Sequence, residues 1–406
     1  MLSQAREGQT FWLFSRGAAK VISKDKRVFR VGISGSYGGL NLGDEAILES
    51  MVTGLRRALP VEITVFSRHP EDTLARHRVE RAVPVREMSR DEVLPEIERL
   101  DLFILGGGGI LFDAEAHLYL REVALAQERQ VPVMVYAVGA GPLRDPAAQK
   151  FTRTCLSRAA AVTVRERQAR KVLEEIGVHR EIEITADPAL LLEPEPLPPD
   201  VLKREGLDGR RLVGVSVREP GVAAPDINES HYHALLANAA DYMVDRLDAD
   251  LVFVPMERQV LDTQHCHAVV SQMAHAQRAT VLKGEYTSGQ MLTIIGHFAF
   301  AVGMRLHFLI FAALQRVPFV ALPYASKVTG LLDALEMPTP PLQQVNAGRL
   351  IAHIDRSWDL HADLQARIDR ALPTLQERAR ETNKIAVRLL LNRTPAEEGM
   401  RPAVGV

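Results

Sequence analysis

Cysteine is nearly missing from this chain of 406 residues, which has only Cys155 and Cys266. Two thiols cannot build a disulfide framework, so the fold must rest on its own core and suits a reducing compartment. An excess of either charge is missing too. The 49 Lys and Arg face 51 Asp and Glu, a formal net charge of -2. Such a chain lacks the basic footprint of a nucleic-acid binder, and no nucleic-acid partner is expected. Long hydrophobic runs are absent as well. The most apolar stretch, Phe298–Pro323, is interrupted by Arg305, His307, Gln315 and Arg316, leaving pieces too short to span a bilayer. Near the start, Phe11–Phe14 is too short for the apolar core of a secretory signal, and Arg16, Lys20, Lys24, Lys26 and Arg27 follow it. The chain therefore reads as soluble and cytoplasmic, with peripheral contact to a membrane surface left open. What is present is ordinary globular composition, 47% hydrophobic and 25% charged, at a length that suits two domains.

Along the chain, strand, turn and helix repeat. Phe29–Ser34, Val61–Phe66, Asp101–Leu105, Val131–Val138 and Ala161–Val164 are short apolar runs, the pattern of parallel strands covered on both faces. A helix is expected from Asp44, with Ile47, Leu48, Met51, Val52 and Leu55 on one face. The stretch Glu193-Pro194-Glu195-Pro196-Leu197-Pro198-Pro199-Asp200 reads as a linker. Beyond it the rhythm restarts at Leu212–Val217, Leu251–Pro255, Thr280–Leu282, Phe298–Val302 and Phe319–Leu322, and Leu360–Leu391 reads as one or two long helices. The expected division is an N-terminal extension over 1–28, a Rossmann-like domain over 29–200, a second over 201–345, and C-terminal helices and tail over 346–406. The fold class is α/β, two Rossmann-like domains with a cleft between them. Ligands in such sheets bind beyond the carboxyl ends of the strands.

Three constellations fall at strand ends. Gly35-Ser36-Tyr37-Gly38-Gly39-Leu40-Asn41-Leu42-Gly43-Asp44-Glu45 follows the first strand. It lacks the spacing of either nucleotide fingerprint, and its two carboxylates would repel a phosphate. Asn41, Asp44 and Glu45 are suited to accepting hydrogen bonds from sugar hydroxyls. The competing reading makes Asp44 a helix N-cap and Glu45 a partner of the helix dipole. The run Gly106–Gly109, with Gly139-Ala140-Gly141-Pro142, suggests a wall of exposed amides, with Gly107 and Gly108 near an acceptor; close packing against a helix is the alternative. Gly303-Met304-Arg305-Leu306-His307 opens an apolar helix, and two more cations at a helix N-terminus await an anion. Arg218, ending the strand Leu212–Val217, and Lys327, near Tyr324, could meet that same anion. Two histidine groups, His265-Cys266-His267 with His275 and His231 with His233, resemble metal ligands. Neither is completed by neighbouring donors, so no metal is expected.

Taken together, Gly35–Glu45, Gly106–Gly109, Asp187-Pro188, Ser216-Val217-Arg218 and Gly303–His307, with Pro318 and Tyr324…Lys327 beyond, resemble the polysaccharide pyruvyl transferase family from Gly32 to about Leu335. The resemblance implies a GT-B-like pair of domains. It also implies transfer of the enolpyruvyl part of phosphoenolpyruvate to two hydroxyls of one sugar. The product would be a pyruvate ketal on a cell-wall, capsule or exopolysaccharide precursor, some of these acceptors being lipid-linked, with release of phosphate. Arg218, Leu306 and His307 would contact the donor, His307 as the acid/base group, and no cofactor beyond the donor itself is implied. One alternative is a nucleotide-sugar-dependent glycosyltransferase on the same fold. Many of these carry a Glu in the helix after the penultimate strand, where this chain has Phe308-Leu309-Ile310-Phe311-Ala312-Ala313. The other is a glycan-binding protein without catalysis.

Overall fold

A computed structural model describes residues 27–113, 115–208, 211–218, 228–257, 262–322, 326–338 and 346–392. The extension up to residue 26, the tail past 392, the pair Glu219-Pro220, and Pro323 and Tyr324 lie outside the described residues.

The first domain holds β1 (Phe29–Ser34), β2 (Val61–Ser67), β3 (Arg81–Pro84), β4 (Leu102–Leu105), β5 (Gly108–Leu111), β6 (Val133–Ala140), β7 (Ala161–Val164) and β8 (Glu183–Ile184). They form one sheet in the order β3-β2-β1-β4-β6-β7-β8, with β5 paired to β6. Helices α1 (Leu42–Ala58), α2 (Pro70–Arg76), α3 (Arg90–Glu98), α4 (Ala116–Glu128), α5 (Pro146–Ser157) and α6 (Arg167–Glu175) make the crossovers. After α7 (Val201–Arg204), the second domain holds β9 (Leu212–Ser216), β10 (Asp250–Phe253), β11 (Ala279–Val281), β12 (Phe298–Gly303) and β13 (Phe319–Ala321) in the order β11-β10-β9-β12-β13. Its helices are α8 (Glu229–Leu247), α9 (Asp262–Val270), α10 (Ser288–Ile295), α11 (Leu306–Leu314) and α12 (Ser326–Ala334), followed by α13 (Ala347–Asp359) and α14 (His361–Leu391). Paired strands run parallel in both sheets.

The apolar runs become strands because helices cover them on both faces. Val31, Ile33, Phe103, Ile104, Val213 and Phe300 are fully buried. The expected helical face holds, with Ile47, Leu48, Met51 and Leu55 fully buried along α1. In both sheets the strand order reverses direction beside the first strand, between β1 and β4 and between β9 and β12. Crossovers leave to opposite sides there and open a crevice at the strand ends.

The C-terminal helices do not form a separate unit. Helix α14 returns to the first domain, where Gln376 donates to the Leu190 carbonyl at 3.1 Å and Arg378 to that of Thr185 at 2.6 Å. The linker is tied down on both sides. Glu193 accepts two hydrogen bonds from Arg57, and Glu195 accepts one from Thr287 at 2.6 Å. At the mouth of the crevice the domains share hydrogen bonds at Leu42. The Leu42 amide donates to the Met256 carbonyl at 2.9 Å, and the Ser288 hydroxyl donates to the Leu42 carbonyl at 2.7 Å.

Candidate active site

The loops after β1, β9 and β12 enclose a cavity of about 400 Å³ between the domains. Asn41, Asp44, Arg218, Arg305, Leu306, His307 and Lys327 all line it. It also takes in Ser36, Arg68, Gly109, Tyr119, Glu115 and Arg165. Gly107 and Gly108 are buried behind its wall.

The glycine-rich loop is shaped by packing. A Cβ on Gly106 would lie 2.0 Å from the hydroxyl of the buried Tyr37, and one on Gly107 3.0 Å from Ile47 Cγ2. Instead of ending in an amide wall, the run continues as β5, and β6 extends to Ala140. Gly109 and Gly139 leave room for a guanidinium, since their Cβ atoms would fall 3.5 and 3.0 Å from Arg165 Nη2. The N-cap of α1 is Asn41, whose Oδ1 accepts from the Gly43 amide at 3.0 Å, so Asp44 is not the cap. Asp44 faces the cavity. Burial and the neighbouring Glu45 raise its pKa, while His307, Lys327 and a hydrogen bond from Ser36 oppose that rise. A carboxyl tuned this way sits closer to neutral pH than an exposed one and is suited to proton exchange with a hydroxyl.

Glu45 points away from the cavity. It accepts from the Gly38 amide at 2.8 Å and meets His77 Nε2 at 2.8 Å, while Glu49 meets His77 Nδ1 at 2.9 Å. Burial works to lower the pKa of His77, but the two carboxylates overcome it and raise it to about 9. The folded form thus holds a proton more tightly than the unfolded one. The resulting stability is fully present below pH 6.5 and is lost as pH rises through about 9. Roughly 3 kcal/mol is at stake. The melting temperature of the protein should therefore fall between pH 7 and 9.5, and that of His77→Gln should stay nearly flat across the same window. Parallel slopes for the two would show that His77 is not the group.

His307 is the second residue of α11 and comes from the second domain, yet it is housed by the first. A Cβ on Gly43 would lie 1.9 Å from its Nδ1, so only glycine admits the ring there. Its Nε2 lies 3.4 Å from Asp187 Oδ2, a close approach though long for a hydrogen bond. Asp187 is buried, caps the turn Pro188–Leu191 through the Ala189 amide at 3.0 Å, and accepts from Arg165 at 2.8 Å. Burial favours its neutral form, but Arg165 and His307 prevail and hold the carboxyl well below the usual carboxylate range. Arg165 is itself paired with Glu166 at 3.0 Å. From sequence, Arg165 reads as part of a solvated set and Asp187 as a turn. Their partnership became visible only when β7 and β8 placed their ends side by side.

Arg305 is clamped. It donates to Asp262 through Nε and Nη2 at 3.0 and 2.5 Å, and to Glu257 at 2.9 Å. Its charge is largely offset, and it braces the start of α11. Arg218 is placed by its backbone, whose carbonyl accepts from Tyr232 at 3.1 Å. Opposite, Arg68 donates to the Ser36 hydroxyl at 2.7 Å and the Tyr119 hydroxyl at 2.9 Å. Arg68 adds a cation that sequence reasoning missed, because nothing near it in the chain marks it.

Two parallel-stranded domains around a polar crevice define a GT-B-type architecture. Similar solved structures share it across nearly the whole chain. One is a Listeria monocytogenes protein assigned as a UDP-N-acetylglucosamine 2-epimerase (TM-score 0.64, 12% identity, 91% of this chain and 98% of that one covered). Another is the Neisseria meningitidis UDP-GlcNAc 2-epimerase bound to UDP-GlcNAc (0.58, 11%, 90% and 100%). A third is a glycosyltransferase from Rickettsia africae (0.59, 10%, 90% and 100%). No functionally curated protein matches the sequence. The family model of the polysaccharide pyruvyl transferases matches residues 41–326, most of the chain, and the protein belongs to that family. Among the described residues, no helix is long and apolar enough to cross a membrane.

Proposed function

We propose that the protein transfers the enolpyruvyl group of phosphoenolpyruvate to two hydroxyls of one sugar, forming a pyruvate ketal on a glycan precursor and releasing phosphate. The observation that carries this reading is the cavity itself: Arg218, Lys327 and His307 line it from the donor side, facing Asp44 across the domain junction. Phosphoenolpyruvate brings a phosphate and a carboxylate, both suited to guanidinium and ammonium partners.

His307 gives a proton to the methylene carbon of the donor. The adjoining C2 gains cationic character and is attacked by the first sugar hydroxyl, whose proton passes to Asp44 or back to the imidazole. Phosphate then leaves from C2, its charge offset by Arg218. The second hydroxyl attacks and closes the ketal; of the two hydroxyl protons one restores the imidazole and the other leaves through Asp44 with the released phosphate. Asn41 and Asp44 contact the acceptor, while Leu306 packs against the donor and Arg305 holds the helix that carries His307.

A nucleotide-sugar donor is the second reading, favoured by a fold neighbour bound to UDP-GlcNAc. The buried stretch Phe308–Ala313 of α11 offers no carboxylate to a ribose. Incubation with phosphoenolpyruvate and a panel of glycans should release phosphate only when a glycan is present and yield one ketal per phosphate, read by mass spectrometry. Turnover of a nucleotide sugar without use of phosphoenolpyruvate would overturn the proposal.

A further inference from the structure

The two histidine groups that look incomplete along the sequence contribute one member each to a single cluster. Helix α8 supplies Glu229 and His233, four residues apart and therefore on one helix face. Helix α9 supplies His265. His233 Nε2 and His265 Nδ1 are 2.9 Å apart, and His265 Nδ1 is 3.6 Å from Glu229 Oε1. One donor atom from each of the three residues falls within 4.8 Å of the others. Both imidazoles are 5% exposed, and Glu229 sits at the surface.

We propose that Glu229, His233 and His265 bind a divalent transition-metal ion, zinc by preference, with solvent at the fourth position. Tetrahedral zinc with bonds of about 2.0–2.1 Å sets its donors about 3.3 Å apart, and the observed separations bracket that value. Two nitrogens and one carboxylate oxygen also suit a first-row metal better than magnesium or calcium. A hydrogen bond between the two imidazoles uses one lone pair and leaves the other ring to donate. A metal takes a lone pair from each.

The site would tie together the two helices that hold the donor side of the cavity. Tyr232, next to His233, bonds the Arg218 carbonyl. Asp262, one turn before His265, clamps Arg305. The site lies apart from the residues that line the cavity.

The test uses untagged, chelator-treated full-length protein titrated with cobalt(II) and then zinc(II). One equivalent of cobalt should give the intense visible bands of a four-coordinate ion, zinc should displace it, and zinc should raise the melting temperature. Glu229→Ala, at an exposed position, should weaken cobalt affinity about tenfold or more. His233→Ala with His265→Ala should abolish the bands. Absence of four-coordinate bands in the unmodified protein, or affinity unchanged in Glu229→Ala, would overturn the assignment and leave the pair a plain imidazole hydrogen bond.

Discussion

His307→Ala should lower kcat with phosphoenolpyruvate and a competent glycan by about 10²–10⁴-fold, the range for losing a positioned acid/base group. The melting temperature should hardly move. The ring is partly exposed to the cavity and rests against Gly43, where no side chain depends on it. Removing it opens space that water can fill without uncovering a core. Asp187 keeps Arg165 and the Ala189 amide as partners, so its charge stays compensated. A variant that keeps near-normal kcat would end the assignment of proton transfer to His307.

Asp187→Asn should have the opposite profile, losing stability and activity together. The guanidinium of Arg165 is almost fully buried, with Glu166 as its other carboxylate. Removing one partner of a buried pair costs up to about 3–5 kcal/mol, and Glu166, still bonded to Arg165, keeps the loss below that ceiling. His307 also loses the anion that holds its ring. As a positioning residue, Asp187 should affect kcat far more than the KM for phosphoenolpyruvate. A double variant, Arg165→Met with Asp187→Asn, separates the two effects. It removes both charges and should recover most of the melting temperature while kcat stays low. If activity returned together with stability, Asp187 would be a fold residue with no part in turnover.

Much of this architecture can be read from local pattern. The strands Phe29–Ser34 and Ala161–Val164 have the boundaries their apolar runs suggest, and Phe298–Val302 gains only Gly303. Apolar runs between turn residues define such segments without help from distant contacts. Arg218 and His307 could be placed at the crevice for a related reason: each lies within four residues of the carboxyl end of a strand, and that end must face the crevice. The pairing of Arg165 with Asp187 was not legible. Their roles arise from β7 lying beside β8, a relation that no short window of sequence contains. A glycine run signals close approach, and the groups that approach this one within the chain are Tyr37 at Gly106, Ile47 at Gly107, Asp44 at Gly108 and Arg165 at Gly109. The histidine groups cannot be joined from sequence because His233 and His265 meet only where α8 packs on α9.

The contact between Gly43 and His307 has a consequence for the working cycle. The imidazole belongs to one half of the molecule, while its pocket and its counter-anion belong to the other. A swing that parted the halves would therefore lift the ring off Asp187 and out of its socket. The ring and its counter-anion would meet again only when the hydrogen bonds at Leu42 re-formed. An activated donor held during the open phase would then be shielded from idle breakdown by water. The protection would come from the way the parts are divided between the halves, without a separate lid.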